Sequence, residues 1–381
     1  MRRRADVRFY PRLESIRGIA AMSVLLGHCY VVMVPPNLPF ANTGLLPALQ
    51  VFLSGILNPQ PAVLLFFVLS GFALGCQIGR SPLNTGRNVL AYVIRRLARL
   101  APAFVVGISA AALVAILKTP SATEAILHQY GKALIFLDLR LNPVAWTLLV
   151  EFAASALFPL IYLVTNKANV AVNSALFAAL TYLCLQPSTP LVLQFVVFFH
   201  AGLLVAMVPN LLTSPSANTI AAGCGILAIT VYAWAPYILA GPARDWAFTR
   251  WQNWMWAEIP ACATIIYLAL HARSPCLDSV LLSKTAGFLG RISYGLYLLH
   301  FPILAATISV LPLNLTQDTP IEYRLGAFVI VTPLVAAASI LAANWCYQFV
   351  EEPTRKCGQA LANKVAPRLT SPPEQRRSAK G

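Results

Sequence analysis

Charge is scarce in this chain. Only 11% of its 381 residues are charged, and acids are the rarer sign, with 13 Asp and Glu against 28 Lys and Arg. Soluble domains carry about 25% charged residues, so a water-exposed globule of this length is excluded. Several catalytic signatures are missing too. There is no Gly-x-Ser-x-Gly elbow, no P-loop, no metal-ligand spacing and no histidine followed four residues later by an aspartate. Gly223-x-Gly225-x-x-Ala228 lies within an apolar stretch, where it cannot cradle a dinucleotide. The eight cysteines form no Cys-x-x-Cys pair. Cys29, Cys76, Cys184, Cys224, Cys262 and Cys346 fall in apolar stretches, while Cys276 and Cys357 fall in connections expected to face the cytoplasm, so inert thiols are the expectation. No internal repeat is evident, which weakens a transporter reading. The first apolar stretch is basic on its N-terminal side but has no small-residue cleavage site, and is expected to stay in the bilayer.

What is abundant is hydrophobic sequence, 58% of all residues. It falls into ten segments near the length a bilayer requires, at about 16–36, 61–79, 101–118, 145–165, 169–186, 190–208, 217–239, 252–272, 291–311 and 326–350. Backbone polar groups must be satisfied internally in lipid, so these segments are expected to be helices and the fold an all-α integral membrane protein. The shorter run 44–57 suits a re-entrant or interfacial segment. With a cytoplasmic N-terminus, 22 of the 28 Lys and Arg fall on the cytoplasmic side. This positive-inside asymmetry puts both termini in the cytoplasm and accounts for the net charge of +15 without nucleic acid. The longest outer connections, about 24–27 residues, are too short to fold alone. One membrane domain over 1–358 and a polar, disordered cytoplasmic tail over 359–381 are expected.

Ionisable residues at membrane depth are costly and usually functional. Arg17 and His28 lie eleven residues apart in the first segment. At about 100° per residue that is three turns plus roughly 20°, which puts both side chains on one stripe, about 16 Å apart along the axis. An imidazole titrates near neutrality and suits a general base; packing by a polar interhelical hydrogen bond is the alternative. Glu14, three residues before Arg17, can brace the guanidinium or form a simple border ion pair. Glu151 can fix the tautomer of His28, bind a substrate hydroxyl, or pair structurally with an arginine. Trp146 is an interfacial anchor or a sugar-stacking platform. Arg95, Arg96 and Arg99 cluster at i,i+3 and i,i+4 spacing and match phosphate geometry, although a positive-inside anchor has the same composition. His300 sits near mid-bilayer, with Arg291 on the opposite side of its helix, expected to snorkel. His200 and Glu258 are also at membrane depth, where pairing is the only role they suggest. His128 falls in an outer connection and is expected to be solvated.

Six blocks of sequence carry a resemblance. Leu13-Glu14-Ser15-Ile16-Arg17 with His28 after ten intervening residues forms an Arg-x10-His signature. Phe66-Phe67-Val68-Leu69-Ser70-Gly71-Phe72, Arg95-Arg96-Leu97-Ala98-Arg99, Trp146-Thr147-Leu148-Leu149-Val150-Glu151, Ser293-Tyr294-Gly295-Leu296-Tyr297-Leu298 with His300-Phe301-Pro302, and Phe349-Val350-Glu351-Glu352-Pro353 follow in order. Together they resemble the membrane-bound acyltransferase-3 family of cell-surface glycan O-acyltransferases. One position departs: members often carry a second acid after the glutamate, and here it is Phe152. The resemblance implies transfer of an acyl group, most commonly acetyl, from cytoplasmic acyl-CoA (acetyl-CoA) to a hydroxyl of an extracytoplasmic glycan or glycolipid. The enzyme would sit in a bacterial inner membrane, bind no resident cofactor or metal, and have membrane lipid as its surroundings. His28, Arg17 and Glu151 would be catalytic, with Arg95, Arg96, Arg99, Glu14, Trp146 and His300 binding substrate. The alternative from a different class is a transporter or flippase of a glycan or lipid-linked sugar without acyl chemistry.

Overall fold

The computed structural model describes residues 10–34, 46–240, 252–311, 313, 315–316 and 318–366. Among them there are helices and no strands. In chain order they are α1 (Pro11–Met33), α2 (Leu46–Ile56), α3 (Gln60–Arg80), α4 (Gly86–Lys118), α5 (Thr123–Leu134), α6 (Trp146–Lys167), α7 (Val170–Leu185), α8 (Leu191–Met207), α9 (Pro215–Ala240), α10 (Gln252–His271), α11 (Pro275–Leu281), α12 (Lys284–Val310), α13 (Ile321–Cys346) and α14 (Glu352–Val365). A π-turn at Tyr347–Glu351 joins the last two. Helix starts follow local chemistry. The side chains of Thr85, Asn169, Ser274 and Ser283 accept from the first free backbone N–H groups of α4, α7, α11 and α12.

Among the described residues seven helical stretches are long and apolar enough to cross a membrane, and α10 with α11, bent by 98° at their junction, make either an eighth, broken span or a re-entrant loop. The segments expected at 169–186 and 190–208 are α7 and α8, short apolar helices of 16 and 17 residues. The expected count of ten spans therefore rests on these two and on the bent α10–α11 pair. The run 44–57 contains α2; its residues 44 and 45 lie outside the described residues, and an apolar stretch continues from Phe52 to Arg80 across the break before α3. Helix α4 begins at Gly86 instead of near 101, so Arg95, Arg96 and Arg99 lie inside a helix of 33 residues, not at its opening. The polar segment expected to be disordered from 359 is helical through Val365; residues beyond 366 lie outside the described residues.

Two contacts place the site. Helix α1 lies against α12, where Gly18 faces the backbone of Leu289 and Gly290, and Gly290 faces the carbonyl of Glu14; a Cβ at either glycine would collide with main chain. Helix α3 lies against α8 in the same way, with Gly71 on the backbone of Phe199 and Gly202 on that of Val68 and Phe72. Lipid supplies no hydrophobic drive between helices, so small residues that admit close approach are what such crossings need. Phe67, Phe158, Phe195, Phe198 and Phe199 fill the core around α3, α6 and α8, and Leu25, Met33, Leu296 and Val335 fill that between α1, α12 and α13. Leu117, Leu160, Val329 and Leu341 are exposed on the outside, as lipid-facing positions require.

Prolines within helices contribute cross-links. Pro159 and Pro302 have no N–H, which frees the carbonyls of Ser155 and Leu298 four residues earlier. Each finds another donor: Tyr92 Oη donates to Ser155 O at 2.7 Å, and Asn142 Nδ2 donates to Leu298 O at 3.1 Å. Arginines clasp the ends. Arg12 donates to Asp278 at 2.8 Å and to the carbonyls of Ala269 and Ala272, holding α1 to the α10–α11 bend. Arg324 is only 3% exposed and donates to the carbonyls of Met33, Thr316 and Thr319.

Candidate active site

A cavity of about 400 Å³ opens between α1, α3, α4, α6 and α12. Its wall carries four arginines, Arg17, Arg80, Arg96 and Arg99, and two glutamates, Glu14 and Glu151. A second chamber of about 60 Å³ shares Glu14, Arg17, Arg99 and Tyr294 with it and adds Arg291, Tyr347, Glu351 and Arg355. The cluster exists because Gly18 and Gly290 let α12 approach the N-terminal half of α1, bringing Arg17 into the space that α4 lines with Arg96 and Arg99.

Glu151 takes the third of its expected roles. Its Oε1 accepts from Arg96 Nη2 at 2.9 Å and from Ser70 Oγ at 2.9 Å. Arg96 is held from its other edge, where Nε donates to Ser155 Oγ at 2.8 Å. Among the described residues no contact joins Glu151 to His28, so the carboxylate does not set that tautomer. Arg96 and Glu151 are a mostly buried pair, with side chains 11% and 17% exposed.

His28 is positioned by a different residue. Its Nδ1 lies 3.0 Å from the carbonyl of Val24 and 3.0 Å from Nε2 of His300. His300, fully buried, has its own Nδ1 3.2 Å from the carbonyl of Leu296. A carbonyl can only accept, so both rings satisfy these contacts with the proton on Nδ1. His300 then presents a lone pair at Nε2 to His28, and His28 keeps a lone pair at its own Nε2. A neutral imidazole held this way can accept a proton from a hydroxyl. The 400 Å³ cavity stops short of it: neither histidine lines the space, whereas Phe66 and Tyr297 do. Their rings meet edge to face at 5.8 Å, and Tyr297 lies 6.0 Å from the His300 ring. Tyr297 is fixed by donating to Val144 O at 3.1 Å and accepting from Thr147 Oγ1 at 3.0 Å. Of the two residues on the expected stripe, the cavity lining takes in Arg17 and not His28.

The other expected residues are scattered. Glu14 and Arg17 line both chambers, but no hydrogen bond or ion pair joins them to each other among the described residues. Arg95 lies on α4 away from both linings. Trp146, half-buried at the start of α6, packs its ring against Phe195 at 5.2 Å and Phe67 at 6.3 Å. His200 and Glu258 are fully buried, and their polar side-chain atoms have no partner among the described residues, so the expected pairing is absent. Arg291 is exposed beside Phe288, and His128 is exposed on α5, both as expected. Phe152, where relatives often carry an acid, packs with Phe136 at 5.3 Å and Phe104 at 6.5 Å.

Ser70, Tyr294, Tyr297 and Glu351 are site residues that the spacing of charges did not single out, although each lies in a block already recognised. Gln77 and Arg80 had no such signal. Comparison with curated proteins and with solved structures gives no match. The model of the acyltransferase-3 domain matches residues 10–343, most of the chain and every residue that lines the larger cavity. The chain belongs to the acyltransferase-3 family and is a membrane acyltransferase.

Proposed function

We propose that the protein moves an acyl group, acetyl by preference, from acyl-CoA on the cytoplasmic side of a bacterial inner membrane to a hydroxyl of an extracytoplasmic or cell-surface glycan. The observation that carries this reading is the cavity itself. Four arginines share its wall with only two glutamates, one of which is already paired. A partly enclosed space with surplus guanidinium charge favours an anionic ligand, and guanidinium forks match phosphate oxygens. Acyl-CoA carries both the phosphates and the acyl group that the family's chemistry needs.

In this reading Arg17, on the shared wall of the two chambers, orients the thioester end of the donor. His28 removes the proton from the acceptor hydroxyl through Nε2 as oxygen attacks the thioester carbonyl. The carbon–sulfur bond breaks, the acyl group passes to oxygen, and the thiolate of CoA takes up a proton as it leaves. His300 acts through His28, and Glu151 acts through Arg96.

Purified protein in vesicles, given acetyl-CoA and surface glycan, supplies the test. Acetyl-bearing sugar detected by mass spectrometry, together with free CoA, is the expected result. Movement of a lipid-linked sugar with no consumption of acetyl-CoA would contradict it and favour the transporter class.

A further inference from the structure

We infer that Gln77 and Arg80, on the last turn of α3, hold phosphate oxygens of the donor; the assignment rests on the acyl-CoA reading above. The two side chains are three residues apart on one helix face, and both line the 400 Å³ cavity. Gln77 Nε2 and Arg80 Nε are buried and have no hydrogen-bond partner among the described residues. A buried donor without an acceptor is unfavourable, and two adjacent ones on a cavity wall mark where an acceptor belongs. Arg80 also forms no ion pair among the described residues, so its charge is not neutralised from within the protein.

Arg96 is the contrasting case. Its sequence suited either a phosphate ligand or a positive-inside anchor, and here Glu151 neutralises it and Ser155 holds its Nε. Moving it to a phosphate would leave Glu151 buried without its cation, a costly exchange. Arg80 needs no such exchange. Gln77 adds a neutral amide donor beside a guanidinium, a combination that suits an oxyanion with several acceptor oxygens. Arg17 and Arg99, which line the same cavity, add charge that steers a polyanion inward. The position also fits the direction of supply, because the charge asymmetry of the chain puts the Arg80 end of α3 on the cytoplasmic side.

The test is equilibrium binding to full-length protein in detergent, with CoA, dephospho-CoA and pantetheine as probes. Arg80→Gln should weaken CoA by about ten- to a hundred-fold, the range for one charge-assisted hydrogen bond. Gln77→Leu should weaken it less, and Arg80→Lys should recover part of the loss. Pantetheine, which has no phosphate, should bind wild type and variants alike. A loss seen equally with dephospho-CoA assigns the contact to the diphosphate, and a loss confined to CoA assigns it to the ribose phosphate; both support the site. Unchanged CoA affinity in Arg80→Gln, or an equal loss for pantetheine, overturns it. Wild-type protein that binds no CoA overturns the donor reading and this assignment with it.

Discussion

His28 and His300 meet across the α1–α12 contact, with Nδ1 of one 3.0 Å from Nε2 of the other. The arrangement gives the Nδ1–H of His28 a second acceptor that orients its ring, a task that carboxylates often perform in catalytic sites. Backbone carbonyls at Val24 and Leu296 fix the proton on Nδ1 of each ring. The free lone pair of the pair is therefore on Nε2 of His28.

His300→Leu should lower turnover by about 10–10²-fold without changing CoA affinity, because it removes the acceptor that orients His28 and leaves the base itself in place. His300→Gln, whose amide oxygen can accept from His28, should retain more activity than His300→Leu. Equal losses in the two variants, with CoA binding also lost, would point to packing and not orientation.

Glu151→Ala should destabilise the folded protein by about 3–5 kcal/mol, since it leaves Arg96 mostly buried and uncompensated. Replacing both partners with methionine should restore much of that stability. Thermal unfolding in detergent gives the comparison. If the double variant is no more stable than Glu151→Ala, the pair is not the reason for the loss.

The proline-freed carbonyl of Leu298 offers a cycle. Asn142→Ala should cost about 1–3 kcal/mol by leaving that carbonyl unsatisfied. With Pro302→Ala in the background, a new backbone N–H becomes available to Leu298 O, and Asn142→Ala should cost less. Additive losses would show that the two groups are not coupled.

Gly18→Leu and Gly290→Leu should each disrupt the α1–α12 contact, since any side chain there meets main chain that cannot yield. Gly86→Leu, at a position open to space, should have little effect on the same readout, the yield of monodisperse protein after extraction. Equal yields for the three variants would show that close approach at Gly18 and Gly290 is not required.

The helical class was legible in the sequence because hydrophobic length and the need for internal hydrogen bonding act locally. The start of α4 was not. The stretch before Arg95 lay outside the expected helix, whose opening was put at Arg95 to Arg99, yet it is helical from Gly86 because Thr85 caps it and α14 packs along it. Arg17 and His28 were legible as a stripe on one helix, but that the cavity takes in Arg17 and not His28 depends on how α3, α4, α6 and α12 close around it and has no signature in α1. The same holds for Glu151. Its three expected partners were equally available on paper, and only the approach of α4 to α6 selects Arg96. Arg80 is the clearest case of a residue hidden by its composition: near a helix end it reads as a topological charge, and only the cavity wall shows that its Nε lacks an acceptor.

The measurement closest to the central claim is acyl transfer by His28→Ala protein reconstituted in vesicles, with folding checked by thermal unfolding and donor binding by CoA titration. The account predicts a loss of about 10²–10⁴-fold in turnover with CoA affinity preserved. Undiminished transfer by folded His28→Ala protein would contradict it.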